Sequence, residues 1–369
     1  MTTRRAELRR FSLELASPLR TANGTITERE GVLVRLKTDD WVGVGEATPL
    51  PGWTEPLAET ETALQRAVTL FESQGADVAL AALDGTPAAA HGFSLALMDG
   101  RGRAAKEPLY RRLGAADGTV ETLPVNATLG DDSLDVTVTA ATRAVDAGFD
   151  ALKLKVGART PDADAARLAA VREAVGPAIE LRADANGAWS RPEAREAFER
   201  FADAGVAYVE QPLSPDDLAG HAALRGGSVG VALDESLSRT DPTTVLAAQA
   251  ADVLVLKPMS LGGVSAAASV GRRAIEAGVT PVVTTTVDAV VARTAAVHLA
   301  AALAPSDGGP ACGLATAERL ATDLAPDPAP VESGAIRVPE AGGHGVALDW
   351  DSPDSEHVST GDPSEERDA

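Results

Sequence analysis

A chain of 369 residues has room for one large barrel and a smaller domain, since ordinary domains run about 100 to 200 residues. Hydrophobic residues make up 44% of it and aromatics only 3%, so Ala, Val and Leu must fill the core, and no apolar run approaches the roughly 18 to 20 residues that span a bilayer. A formal net charge of -21 with no cluster of Lys and Arg argues against a nucleic-acid partner.

In chain order, residues 1–10 are charged and lack the apolar stretch of a signal peptide, which predicts a cytoplasmic protein. Segments 8–15, 31–36 and 41–46 read as a β-meander with turn residues between them. From 59 to about 114 the pattern turns helical, with Leu64, Val68, Leu70 and Phe71 apolar among polar neighbours, so residues 1–118 are expected to form an α+β capping domain.

Beyond Leu123 short apolar runs alternate with amphipathic stretches. Strands are predicted at 124–129, 151–156, 179–184, 207–210, 229–234, 253–257 and 281–284, with helices such as 162–175, 191–204 and 264–277 between them. Near-continuous apolar strands joined by helices imply a parallel sheet covered on both faces, and this many units in one direction close into a β/α barrel over residues 119–317. An eighth strand is expected near 311–314, a return of 318–350 onto the first domain, and a disordered acidic tail over 351–369.

Reactive groups of such a barrel sit at the carboxyl ends of its strands. Here the second strand ends Leu152-Lys153-Leu154-Lys155, the third Arg182-Ala183-Asp184, the fourth Val209-Glu210, the fifth Leu233-Asp234 and the sixth Leu256-Lys257. Lysine occurs only at Lys37, Lys106, Lys153, Lys155 and Lys257, and such an acid-rich, lysine-poor composition reads as adaptation to high salt. Three of so few lysines at strand ends point to chemistry, the plain alternative being solvated ends or ion pairs. Side chains alternate along a strand, so Lys153 and Lys155 share one face, toward the barrel mouth.

Asp184, Glu210 and Asp234 end three adjacent strands, and their converging carboxylates would repel one another without a cation between them. All-oxygen ligation without Cys or His points to Mg2+, for which Mn2+ is an expected substitute. A carboxylate substrate held on such an ion becomes acidic at its α-carbon, because the metal stabilises the enediolate. A lysine beside a second cation loses its proton more readily, which makes Lys155 the candidate base; Lys257, approaching from the opposite side, is either a second base or a fixed cation.

Elsewhere the signals are plain. Cys312 reads as a small core residue. His91, His221, His298, His344 and His357 are scattered over different elements and form no metal or triad pattern, and Gly262-Gly263 is expected to let the chain enter the next helix.

Lys153-Leu154-Lys155, Asp184-Ala185-Asn186, Val209-Glu210-Gln211-Pro212, Asp234-Glu235-Ser236 and Leu256-Lys257-Pro258 together resemble the strand-end set of the enolase superfamily, specifically its muconate-lactonizing subgroup, over nearly all of residues 5–320. The resemblance implies an α/β fold, a modified TIM barrel (β/α)7β with an α+β N-terminal capping domain. It also implies a lysine base working with Mg2+ on a small-molecule carboxylate. Asn186 and Glu235 are then expected to orient the metal ligands from behind.

Within the subgroup the chain is most similar to the o-succinylbenzoate synthase family of menaquinone biosynthesis. The segment Gly45-Glu46-Ala47-Thr48-Pro49-Leu50-Pro51-Gly52-Trp53 resembles that family's capping loop, which implies substrate contacts from Thr48 and Trp53; the alternative is an ordinary turn after a strand. Arg182 resembles part of an Arg-x-Asp-x-Asn motif, implying a substrate contact or else an ion pair with a ligand carboxylate. The run Thr284-Thr285-Thr286 stands where the family places hydroxyl contacts, unless it merely reflects β-branched strand preference. Val287-Asp288-Ala289 departs from the family's Glu-Ser, which puts contacts around Asp288 in doubt, and no Asp-x-Asp pattern of the related dipeptide epimerases is present. The implied reaction is a syn dehydration with Lys155 as base and acid and Lys257 held as a cation over the ring. An N-succinylamino acid racemase, a dipeptide epimerase, a muconate cycloisomerase and a non-catalytic metal-binding scaffold remain as rivals, and the oligomeric state stays open.

Overall fold

A computed structural model describes residues 3–21, 24–114, 121–306, 308–350 and 356–357. The N-terminal sheet is antiparallel: β1 (Arg4–Thr21) pairs with β2 (Gly24–Thr38), which pairs with β3 (Val42–Ala47). The first two strands run well past the expected 8–15 and 31–36. Their outer stretches mix charged, small and turn-forming residues, such as Ala16-Ser17-Pro18 and Thr27-Glu28-Arg29-Glu30, which hides the strand signal, yet the ladder continues from Arg4 opposite Thr38 to Thr21 opposite Gly24, with a register shift between Glu14 and Leu19.

Four helices follow: α1 (Leu57–Ser73), α2 (Ala76–Ala81), α3 (Pro87–Ala105) and α4 (Leu109–Arg112). On α1 the buried set Thr60, Leu64, Ala67, Val68 and Phe71 follows the helical repeat and faces the sheet core around Leu8, Val32 and Leu36. Helix α3 lies almost in backbone contact with β3. A Cβ at Gly43 would come within 2.1 Å of Ala96 O and one at Gly45 within 2.0 Å of Gly92 O, so glycine is required where helix and strand meet.

The barrel starts differently from expectation. The run 124–129 splits into β4 (Thr122–Pro124) and β5 (Ala127–Leu129), because β4 pairs antiparallel with the late strand β13 (Ala335–Arg337) while only β5 joins the parallel sheet. Pro124 lacks an N–H for the barrel ladder, and its carbonyl accepts from Cys312 N at 2.9 Å. There follow α5 (Leu134–Asp146), β6 (Ala151–Lys155), α6 (Pro161–Val175), β7 (Glu180–Asp184), α7 (Arg191–Asp203), β8 (Val206–Glu210), α8 (Leu218–Leu224), β9 (Gly230–Leu233), α9 (Ser236–Arg239), α10 (Pro242–Ala247), β10 (Val253–Leu256), α11 (Val264–Glu276), β11 (Thr280–Val283) and α12 (Val290–Leu303). Strands β5 to β11 are parallel neighbours in sequence order. Closure is by two residues, Cys312 bridging Val125 and Gly313 bridging Thr284, where an eighth strand was expected.

Helix starts carry their own signals, such as Thr160 capping α6 ahead of Pro161 and the Ser190–Glu193 capping box of α7. Helix α12 is apolar nearly all round, because it is sandwiched between the barrel and the N-terminal elements β3 and α4.

After the barrel, β12 (Val331–Glu332) and β13 (Ala335–Arg337) form a hairpin with β4. The chain then meets the first domain: Tyr110 Oη donates to Glu340 at 3.0 Å, Leu109 N to Gly343 O at 2.8 Å, and the Arg9 and Arg35 guanidinium groups lie 5.0 and 4.4 Å from the Trp350 ring. The tail expectation falls outside the described residues, except that β14 (Glu356–His357) pairs with β1 at Arg9 and Arg10. No helix among the described residues is long and apolar enough to cross a membrane.

Candidate active site

Register alone brings the charged strand ends together. Lys155 pairs in register with Asp184 and Asp184 with Glu210, while Asp234 follows the last residue of the next strand. Lys155 Nζ donates to Asp184 Oδ2 at 2.6 Å, Lys153 Nζ to the two Glu210 oxygens at 3.1 and 3.0 Å, and Lys257 Nζ to Asp234 Oδ2 at 2.6 Å. Lys153 also stands 3.4 Å from Asp184, so one ammonium links two acids. All six residues therefore share the mouth, with Lys155 and Lys257 paired to different acids of the set.

A further ring of contacts fixes these groups. Asn186 accepts from Lys155 at 2.7 Å and donates to Glu235 at 2.9 Å, joining the two residues expected to act from behind the ligands. Gln211, which drew no attention as a site residue in the sequence, is fully buried; its Oε1 accepts from Asp234 N at 3.1 Å and Ser236 N at 3.2 Å, so it holds the turn that presents Asp234. Arg167 on α6 is likewise new: its guanidinium donates to Lys155 O and Gly130 O, each at 3.0 Å, and pairs with buried Asp164.

The electrostatics describe a site short of positive charge. Burial and repulsion from Asp184 push the Glu210 carboxyl up to about 7, and burial together with Glu235 pushes Asp234 up to about 6. Burial also raises Asp184, but Lys155 and Lys153 outweigh it and hold that group below the usual carboxylate range. For Lys153, burial opposes the charge, and Glu210, Asp184 and Asp234 more than offset it and keep the ammonium protonated. Glu235 is raised, first by burial.

Among the described residues no group of three or more His, Cys, Asp or Glu is arranged around one point as a metal centre, and the acids are paired with the lysines instead. The donors nevertheless fit a hard dication. Asp234 Oδ1 and Glu235 Oε2 are buried without a hydrogen-bond partner among the described residues, all donors are carboxylate oxygens, and the negative groups outnumber the ammonium groups. An orphaned carboxylate oxygen in such a place is costly unless a cation or water satisfies it.

The expected substrate contacts fare unevenly. Trp53 reaches the mouth, its ring centroid 3.4 Å from Lys257 Nζ. Two expectations need correction. Arg182 is almost fully buried and turns away from the mouth, pairing with Glu180 at the opposite end of its strand, donating to Ala311 O at 2.6 Å and lying over Tyr208. Thr48 is fully buried and donates its hydroxyl to Glu46. Thr284 donates to Gly313 O at 2.8 Å and so ties the barrel seam, while Thr285 shares a hydrogen bond with Thr316 at 3.0 Å. Asp288 is buried and accepts from Thr286.

Comparison with known proteins covers the same region. Residues 136–352 match the family described as "Enolase C-terminal domain-like" and residues 3–100 the one described as "MenC, N-terminal domain". An o-succinylbenzoate synthase from Thermobifida fusca is 41% identical over 212 residues, 56% of this chain and 64% of that protein. An L-Ala-D/L-Glu epimerase from Bacillus subtilis is 32% identical over 80% of this chain and 84% of its own length. The structure of a dipeptide epimerase from Enterococcus faecalis, complexed with Mg and the dipeptide L-Leu-L-Tyr, superposes with a TM-score of 0.81 at 29% identity, covering 94% of this chain and 100% of that one. One family description thus spans more than half of the chain and contains every strand-end lysine and acid, and the chain belongs to the enolase superfamily.

Proposed function

We propose that the chain is an o-succinylbenzoate synthase, a hydro-lyase that converts 2-succinyl-6-hydroxy-2,4-cyclohexadiene-1-carboxylate to 2-succinylbenzoate and water. The observation that carries this choice is the match of residues 3–100 to the MenC N-terminal domain, the segment that lays Trp53 over Lys257 at the barrel mouth. The synthase from T. fusca, more than 40% identical where it aligns, supports the same choice.

Asp184, Glu210 and Asp234 would hold Mg2+, which when bound supplies positive charge against the negative charge that grows on a substrate carboxylate. Lys155 removes the proton from the carbon that bears the ring carboxylate. The C–O bond to the ring hydroxyl breaks, Lys155 returns the proton to the departing hydroxide, and the ring becomes aromatic. One base on one face suffices. Asp184 and Asn186, both bonded to Lys155, hold its nitrogen in place between the two transfers. Lys257, braced between Asp234 and the Trp53 ring, presents a fixed cation to the developing anion.

A second reading is favoured by relatives that cover most of the chain and are named as epimerases, among them the L-Ala-D/L-Glu epimerase of B. subtilis and the dipeptide epimerase of E. faecalis: an epimerase would use Lys155 and Lys257 as opposed bases. Incubation with Mg2+ in D2O separates the two. The synthase predicts rapid formation of an absorbing aromatic acid from the cyclohexadiene substrate and slow or no exchange on dipeptides and N-succinyl amino acids. Fast deuterium incorporation into both epimers of a dipeptide, without dehydration of the cyclohexadiene, would overturn it.

A further inference from the structure

One guanidinium connects the capping turn to the barrel. Arg29 on β2 is almost wholly buried and sends its donors to three main-chain carbonyls: Nη2 to Thr48 O at 2.9 Å, Nη1 to Pro49 O at 3.0 Å and Nε to Val287 O at 3.2 Å. The first two open the turn that carries Trp53, closed by Trp53 N and Thr54 N donating to Leu50 O. The third belongs to the loop after β11, directly beyond Thr284, Thr285 and Thr286.

Glu46 on β3 completes the junction. Its fully buried carboxyl group accepts from Ala289 N and Ala292 N, each at 2.9 Å, at the start of α12, and also lies against Thr48 Oγ1. A carboxyl oxygen placed there satisfies N–H groups that have no partner within the helix. On the far flank of the turn Glu55 does the same for α3, accepting from Ala88 N at 3.1 Å and Ala89 N at 2.9 Å. The loop between these anchors holds Val287 at φ 61, a left-handed conformation that a β-branched residue rarely adopts and that surrounding contacts must impose.

We propose that Arg29 and Glu46 are positioning residues which lock the Trp53 turn and the Val287 loop into one register over the barrel mouth, so that the two walls of the substrate site move together or not at all. The inference rests on the barrel mouth being the site of proton abstraction. Arg29 serves this end because its planar fork reaches carbonyls from two segments at once, which a lysine, a compact point charge, does not reproduce. Val287 is the strained member that the clamp restrains.

The test compares the full-length wild type with Arg29→Lys, Arg29→Met and the double variant Arg29→Met with Val287→Gly, by amide hydrogen exchange and by steady-state kinetics with Mg2+. Loss of the clamp should raise exchange in 48–54 and 284–289 together while α1 and α7 keep wild-type protection. It should also lower kcat/KM by about 100-fold, mostly through KM, as expected for a displaced substrate wall. Val287→Gly, in which the left-handed backbone is unstrained, should recover part of that loss. Exchange that rises in only one of the two segments, or throughout the N-terminal domain, would overturn the proposal, as would failure of Val287→Gly to recover activity. The exchange experiment needs no substrate, so an error in the assigned reaction shows itself separately, as absence of turnover in the wild type.

Discussion

Lys155 and Lys257 were legible as reactive groups because lysine is scarce in this chain and both stand at strand ends. The structure adds what no spacing reveals: each is braced by a different acid, and Lys257 is roofed by Trp53 from a distant segment. The one-base account makes their substitutions unequal in kind. Lys155→Ala should lower kcat by roughly 100- to 10,000-fold, the usual weight of a general base, and abolish solvent-proton exchange at the substrate carbon. Lys257→Ala should lower turnover while exchange at that carbon persists. Steady-state rates and proton NMR in D2O measure both, and persistence of turnover in Lys155→Ala would remove that residue from the mechanism. Arg182 and Thr48 were misplaced in the sequence reading. Arg182 shares the inward face of its strand with Asp184 but lies one step deeper, where it donates to Ala311 O, and Thr48, within the capping segment, turns inward to Glu46. Gln211, Arg29 and Glu46 left a weaker trace, Arg29 standing between Glu28 and Glu30 in a polar stretch, and their partners lie at other places in the sequence.

At the scale of elements, the parallel strands declared themselves through short apolar runs, helix α6 through its Thr160 cap and Pro161, α7 through its capping box and amphipathic face, and α11 through its amphipathic face. What stayed hidden was set by long-range pairing. The polar and proline-containing ends of β1 and β2 become strand only because each completes the other's ladder, and β4 leaves the barrel because β13, more than 200 residues later, offers it a partner. The contact of β3 with α3 is equally non-local, and it determines how Glu46 meets the barrel. Gly45→Ala should therefore destabilise the protein by roughly 1–3 kcal/mol or more, the cost of overpacking, since the added methyl group meets backbone that cannot step aside. Urea unfolding measures this; a variant as stable as the wild type would mean that α3 and β3 are not so closely apposed.

For the whole molecule, acidity and buried histidines govern the response to pH. His298, stacked on Tyr110 with ring centroids 5.8 Å apart, is pushed down to about 4 by burial, and His91, His221 and His344 shift the same way for the same reason. An unfolded histidine titrates near 6.5, so between about 4 and 6.5 the unfolded chain binds more protons than the folded one. Stability from this group is therefore complete above that window and is lost as pH falls through it, to about 3 kcal/mol for His298 alone. Glu46, pushed up to about 8 by burial, works in the opposite direction, so the comparison belongs within one pair of proteins. Between pH 7.5 and 4.5, the wild type should lose more unfolding free energy than His298→Phe; equal losses would show that His298 is not kept neutral.

The most direct measurement is calorimetric titration of the full-length protein with Mg2+, beside Asp234→Asn. The wild type should bind one ion per chain, and binding should weaken at least tenfold in the variant, which removes a carboxylate charge from the proposed ligand set. No Mg2+ binding to the wild type, or equal binding by the two proteins, would contradict the convergence of Asp184, Glu210 and Asp234 on a shared ion.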